Sequence, residues 1–308
     1  MTPATEDTGQ GLASTMPFRI LVDEAMKLTR RHFRWIYFPV AIPVSLLFAA
    51  LTVVQLAWMR GIQSALTTRS VLAMAGGCGG VLLAFFVLVV AQSLAYTALA
   101  FACTGAVERG RVGMKESWRF VLQLRVMGTL VLVWIALGVS FLFFFFPAIY
   151  VGLILSLVTQ VMAAEKVFGF AAMRRSSQLV RYNPQRRFLA NPKVKIFALF
   201  VIAMVISYVV RIVVELPFAV FQGYSAAREV AGRGQVDSAA WMSRMMWTQV
   251  PSSILSSLVT TAVGVYTSFG LALLYFDIRR RKEGMDLEAE IDRMSGGPPE
   301  TPPPVAPR

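Results

Sequence analysis

Long apolar runs, separated by polar stretches rich in Arg or poor in it, set the pattern of this chain. A helix that crosses a bilayer needs about 20 mostly apolar residues. Residues 35–59 and 71–103 meet that length, and the second is long enough to tilt. Residues 126–164 are too long for one crossing. Pro147 falls near the middle, with Gly152 after it, so the pattern predicts a tight hairpin of arms 126–146 and 148–164. Residues 195–216 and 253–276 complete six spans. The expected fold is therefore an all-α polytopic membrane protein: a membrane domain over 18–290, with polar termini 1–17 and 291–308 expected to be disordered.

Three amphipathic segments accompany the spans on one side. Phe18, Leu21, Val22, Ala25, Met26, Thr29 and Phe33 recur at helical spacing, opposite Asp23, Glu24, Lys27, Arg30 and Arg31. Residues 112–125 place Met114, Trp118, Val121 and Leu122 on one face, with Lys115, Arg119 and Arg125 elsewhere. Residues 165–182 set Phe168, Ala172, Leu179 and Val180 against Lys166, Arg174, Arg175 and Arg181. Each reads as a helix lying in the headgroups. The echoes Glu24-Ala25-Met26, Glu116-Ser117-Trp118 and Ala171-Ala172-Met173 suit a repeated unit, but their spacing is irregular for one. The segment 218–251 is the one sizeable stretch on the other side. Trp241, Met242, Met245, Met246 and Trp247 crowd its end, as in a short interfacial helix or a partner-binding element.

Composition agrees: 56% of residues are hydrophobic, 15% are charged, and mean hydropathy is +0.61. The basic residues are unevenly shared. With six spans, 24 of the 30 Lys and Arg fall on the side of the two termini and of residues 104–125 and 165–195. The other side receives Arg60, Arg69, Arg211, Arg228, Arg233 and Arg244, and the turn at Pro147 carries none. The positive-inside rule then places both termini in the cytoplasm of a bacterial inner membrane. The same bias accounts for the +13 net charge without nucleic acid, and it makes anionic lipid the expected partner. The opening 17 residues lack the pattern of a signal peptide, and 35–59 reads as a retained span.

The residues that carry chemistry are sparse. The single histidine, His32, sits among arginines, whose charges make it a poor general base. One His and two separated cysteines, Cys78 and Cys103, give no zinc site and no disulfide framework. No P-loop, Gly-x-Ser-x-Gly or His-Glu-x-x-His is present, so no cofactor and no metal is expected. Gly76-Gly77-Cys78-Gly79-Gly80 has no following Lys and reads as close helix packing or a helix break. Transport calls for polar or ionisable groups at membrane depth, and here they are few: Gln55, Gln92 and Gln160 are uncharged. Arg211 and Glu215, one turn apart near the outer boundary, can pair with each other or form a gate.

Three stretches carry a family resemblance. They are 272–288, with Tyr275-Phe276-Asp277-Ile278-Arg279-Arg280-Arg281-Lys282; the middle set Glu165, Gly169, Ala172 and Arg174-Arg175-Ser176-Ser177-Gln178-Leu179-Val180; and Asp23-Glu24-Ala25-Met26 with Arg30-Arg31-His32-Phe33. Through them the chain resembles a widespread set of bacterial multi-span proteins related to the membrane domain of glycerophosphoryl diester phosphodiesterases. The resemblance implies six helices and a cytoplasmic C-terminus. It does not imply phosphodiesterase activity, because the catalytic barrel of that group is a separate domain of about 250 residues, for which this chain has no room. Asp277 at the end of the last span is expected to pair with an arginine of the interfacial helices. Arg174 and Arg175 are expected to hold Asp277, Glu165 or lipid phosphate, and Arg279 is a further lipid-facing or structural candidate. Glu165 is expected to open a helix, where a carboxylate suits the dipole. The function expected is a non-catalytic scaffold or accessory subunit that engages anionic lipid and a membrane-protein partner. The alternatives are a lipid or small-molecule transporter with a cavity between spans, and an intramembrane enzyme.

Overall fold

The computed structural model of the chain describes residues 16–68, 71–110, 113–181, 191–233 and 238–283. The Pro-rich tail and nearly all of the polar N-terminus lie outside them, as do the side chains of Cys78, Trp241, Met242, Met245 and Met246. The described residues form helices and turns, with no strand among them. The order is α1 (Phe18–Thr68), α2 (Val71–Arg109), α3 (Met114–Val121), α4 (Leu124–Phe143), α5 (Phe145–Leu155), α6 (Val158–Glu165), α7 (Phe170–Arg181), α8 (Pro192–Arg233) and α9 (Ser238–Glu283). Six stretches are long and apolar enough to cross a membrane: Phe18–Trp58, Leu82–Arg109, Leu124–Phe143, Phe145–Glu165, Pro192–Arg228 and Trp247–Lys282. The chain is a multi-span, all-α membrane protein.

Four helices are far taller than a bilayer. At 1.5 Å per residue, α1, α2, α8 and α9 run about 77, 58, 63 and 69 Å, against a hydrocarbon core of about 30 Å. This corrects two expectations. Residues 18–33 are not a separate surface helix but continue straight into the first span as α1. Their apolar positions Leu21, Ala25 and Thr29 are buried in the bundle. Residues 218–251 are not a short helix lying on the membrane either. They prolong α8 to Arg233 and α9 back from Ser238. Pro39, Pro43, Pro217 and Pro251 sit inside these helices without ending them, as neighbouring groups in a membrane bundle allow.

Helix α9 is the centre, packed against α1, α2 and α8. It is approached closely because small residues face it. Ala95, Ala98, Ala102, Cys103 and Ala106 of α2 are buried, and Cys103 lies against the Val265 carbonyl. A Cβ on Gly264 would stand 2.5 Å from Cε1 of Tyr96, and one on Gly270 2.6 Å from Cδ1 of Leu199. Gly80 belongs to the same class, because a Cβ there would meet the Trp58 ring at 2.5 Å. The glycine run therefore lies in an unbroken helix, and within it Gly80 serves packing whereas a Cβ on Gly79 would meet nothing within 4 Å. Several hydroxyls bond locally or between helices: Ser45 and Thr29 donate to carbonyls one turn back, Ser257 donates to Ser45, and Tyr37 donates to the Leu258 carbonyl, whereas the buried Thr104 hydroxyl has no partner among the described residues.

The hairpin differs in detail from its expected form. The chain reverses at Phe144, the one extended residue between α4 and α5, and Pro147 occupies the first turn of α5, where its missing N–H costs nothing. The second arm breaks at Ser156 and Leu157 into α5 and α6. The Ile154 carbonyl, freed by the break, accepts a hydrogen bond from Ser176 Oγ of α7 at 2.6 Å. The expected 112–125 helix is the shorter α3. It buries Val121 as expected, together with Ser117 and Phe120, whereas Leu122 is exposed in the turn before α4. The expected 165–182 helix begins only at Phe170, and its Ala172, Leu179 and Val180 are fully buried.

Candidate functional site

Two neighbouring features lie toward one end of the bundle. That end holds the start of α1, the end of α2, the start of α8 and the end of α9, and is called the basic end below. The first feature is a polar knot. Glu165 closes α6 rather than opening a helix, so the dipole opposes its charge instead of favouring it. Compensation comes from neighbours. Arg175 Nε of α7 donates to both carboxylate oxygens, at 2.9 and 3.1 Å, and the fully buried Tyr275 of α9 donates its hydroxyl to Oε1 at 2.8 Å. Arg279 donates in turn to the Tyr275 oxygen at 3.4 Å.

The expected meeting of the Arg174–Arg175 region with Asp277 takes another form. Arg175 is bound to Glu165, and Asp277 is held one turn on by Arg281 within α9. Arg174, Arg181, Arg119, Arg30 and Arg31 point outward and are exposed. Near the other end, Arg211 Nε donates to Glu215 Oε1 at 2.7 Å, and Ser256 of α9 donates to the same oxygen at 3.0 Å.

Lys166 follows Glu165 in a left-handed conformation, φ +57°. Its ammonium lies 4.4 Å from the centroid of Phe101 and 4.7 Å from that of Phe120, as in cation–π contacts. Burial of part of the side chain lowers its pKa below the ordinary lysine value. The Arg109 charge adds to that effect and Glu108 opposes it. The chain then turns at Gly169, φ +66°, whose N–H donates to Thr129 Oγ1 of α4 at 2.7 Å. Two left-handed positions three residues apart thus swing the chain from α6 into α7.

The second feature is a cavity of about 410 Å³ among α2, α6, α8 and α9. Helix α8 packs on α9 and leaves the space between itself and α2 and α6 open. Phe200 and Met204 line the cavity yet are 40% and 65% exposed, so its mouth opens sideways on the outer surface of α8. The wall is mostly apolar and contains no charged residue. Its polar members are Tyr96, Thr159, Gln160, Ser207, Thr260, Thr267 and Ser268. Thr260 and Thr267 donate to carbonyls of their own helix. Gln160, 1% exposed, accepts from Thr159 at 2.9 Å through its amide oxygen. Gln160 also lies in the first turn of α6, where N–H groups lack a carbonyl one turn back.

Sequence reasoning missed this set. Gln160 stood out only as a polar residue in an apolar run, Thr159 gave no signal at all, and Ser176 lay inside the 174–180 motif without a role. Tyr275 lay inside a motif without a role. Among the described residues no three of His, Cys, Asp and Glu come together. Comparison with known protein families, with curated proteins and with solved structures finds no match to this chain.

Proposed function

We propose that this protein binds a membrane amphiphile, admitting its apolar chain from the bilayer into the cavity between α8 and the α2–α6 wall. The observation that carries the reading is the sideways mouth at Phe200 and Met204 leading to an uncharged, mostly apolar space. Such a lining suits hydrocarbon, and Gln160 supplies donors for one neutral acceptor such as an ester carbonyl. An ion or a polar solute would meet no charge in that space. The protein belongs, in this proposal, to the bacterial cytoplasmic membrane with both termini inside, as the 24-to-6 charge split supports. Exposed Arg30, Arg31, Arg119, Arg174 and Arg181 then lie among cytoplasmic headgroups, favouring anionic lipid. The resemblance to membrane domains of glycerophosphoryl diester phosphodiesterases fits a lipid-handling role without hydrolysis.

The test is lipid retention by the purified protein, read by native mass spectrometry. Ala203→Trp fills the cavity, and the fraction of protein carrying a lipid should fall at least fivefold. Arg174→Gln with Arg181→Gln should leave that fraction in place but shift it from phosphatidylglycerol and cardiolipin toward phosphatidylethanolamine. Unchanged occupancy in Ala203→Trp would overturn the cavity as the binding site. A scaffold that holds a protein partner is the second reading. It is favoured by Val220, Phe221 and Tyr224 on the prolonged part of α8, all more than half exposed.

A further inference from the structure

The α4–α5 hairpin is composed as a membrane crossing, but its contacts set a limit on how far it reaches. Tyr150, in α5, packs on Lys193 in the first turn of α8. The ammonium is 5.0 Å from the ring centroid and 3.5 Å from the hydroxyl. Lys193 stands at the basic end. Two residues on, Lys195 donates to the carbonyl of Met16, just ahead of α1, at 2.7 Å, and Asp277 and Arg281 near the end of α9 lie close enough to act on its charge. Phe144, where the chain reverses, is only about 9 Å of helix from Tyr150. Even with both side chains stretched in line, Phe144 stays within roughly 24 Å of the Lys193 backbone, which is short of the ~30 Å hydrocarbon core. The break at Ser156 and Leu157 lets α5 turn away from α6, and Ser176 holds α7 against that break.

We infer that α4 and α5 form a re-entrant wedge, entering from the basic end and turning back inside the bilayer, with its tip in contact with acyl chains. The tip fits that partner. Leu142, Phe143, Phe144, Phe145 and Phe146 are each at least 62% exposed, and no polar or charged side chain occurs from Phe141 to Ala148. In water this tip would be a bare apolar surface. Lipid tolerates irregular backbone poorly, and the turn keeps it short. Phe144 is the single non-helical residue, its N–H donates to the Ser140 carbonyl, Pro147 has no N–H, and Ala148 donates back to Phe144. The charge pattern is blind to the distinction. A hairpin that crosses twice and one that does not cross both leave residues 104–125 and 165–195 on one side.

Spin-label depth decides it in the full-length protein reconstituted in phosphatidylglycerol–phosphatidylethanolamine bilayers. Phe144→Cys, with Cys78 and Cys103 replaced by Ala, should show high collision with oxygen and exclusion of a water-soluble nickel chelate. In cells its thiol should resist an impermeant maleimide, while Arg228→Cys reacts from outside. Labelling of the position 144 thiol from outside would show a full crossing and overturn the wedge. Free access of the nickel chelate without outside labelling would show a hairpin lying on the inner surface and overturn it equally. Phe146→Cys reports the same depth if the first variant does not insert.

Discussion

Glu165 ends α6 with its carboxylate against the negative pole of that helix, so its charge depends on the partners brought to it. Arg175 and Tyr275 come from two other helices, and the one carboxylate thereby ties α6, α7 and α9 together. The side chains of Glu165 and Arg175 are 13% and 24% exposed, so removing either leaves the other largely desolvated. Glu165→Gln is expected to lower unfolding stability by about 3 kcal/mol, as for breaking a buried pair from one side. Adding Arg175→Gln should cost less than the sum of the two single changes, with a coupling of about 1–3 kcal/mol. Thermal unfolding of the four proteins in one detergent reads this cycle, and additive losses would show that the pair does not act as a unit. The residues of the knot were visible in the sequence as polar positions at span ends. Glu165 was one of three partners left open for Arg174 and Arg175, and the choice among them depends on where α6 stops. The left-handed Lys166 sets that point, and lysine is not a residue whose identity announces such a turn.

Hydropathy marks where lipid lies, and helices need not end there. This is why the spans were legible in the runs of apolar residues while α1, α8 and α9 were not legible as single helices. The basic stretch 18–33 and residues 218–233 and 238–251 keep helical hydrogen bonding after their composition has turned polar. The break between α5 and α6 was hidden for the opposite reason, since Ser156 and Leu157 interrupt the helix without interrupting the apolar run. The cavity was equally hidden, because it arises from α8 standing off α2 and α6. Two glycines of α9 separate packing from cavity function. Gly270→Ala drives a methyl onto Leu199, outside the cavity wall, and should cost about 1–3 kcal/mol as overpacking does. Gly264→Ala pushes the Tyr96 ring, which lines the cavity, and should also lower lipid occupancy. Lipid retention compared at matched folded fraction checks the pair. Equal retention in both variants would mean that Tyr96 does not bound the ligand space.

At the scale of the whole molecule, the four tall helices decide the topology and the hairpin does not. Helices α1 and α2 form one antiparallel pair and α8 and α9 another, so the start of α1 and the end of α9 both stand at the basic end whatever depth α4 and α5 reach. In the proposed orientation that end lies in the cytoplasm, in keeping with the 24-to-6 partition of Lys and Arg, and each far connection carries few basic residues. Reporter fusions at Gly61 and Gly234 are therefore expected to read outside, and one at Ser295 inside. The two outside positions test different pairs, so one reversed signal identifies which pair is misplaced. A fusion at Pro147 replaces the wedge tip with a soluble domain and would drag it to one surface, so depth at Phe144 needs the smaller spin label. The charge argument makes a graded prediction as well. Moving three arginines from 279–281 into the connection at 234–237 lowers the inside excess to 21 against 9, which still favours the same orientation, so the Ser295 reporter should stay inside in most molecules. Complete inversion by that exchange would mean that the last pair alone sets orientation, and that the arginines of α1 and α7 serve headgroups rather than topology.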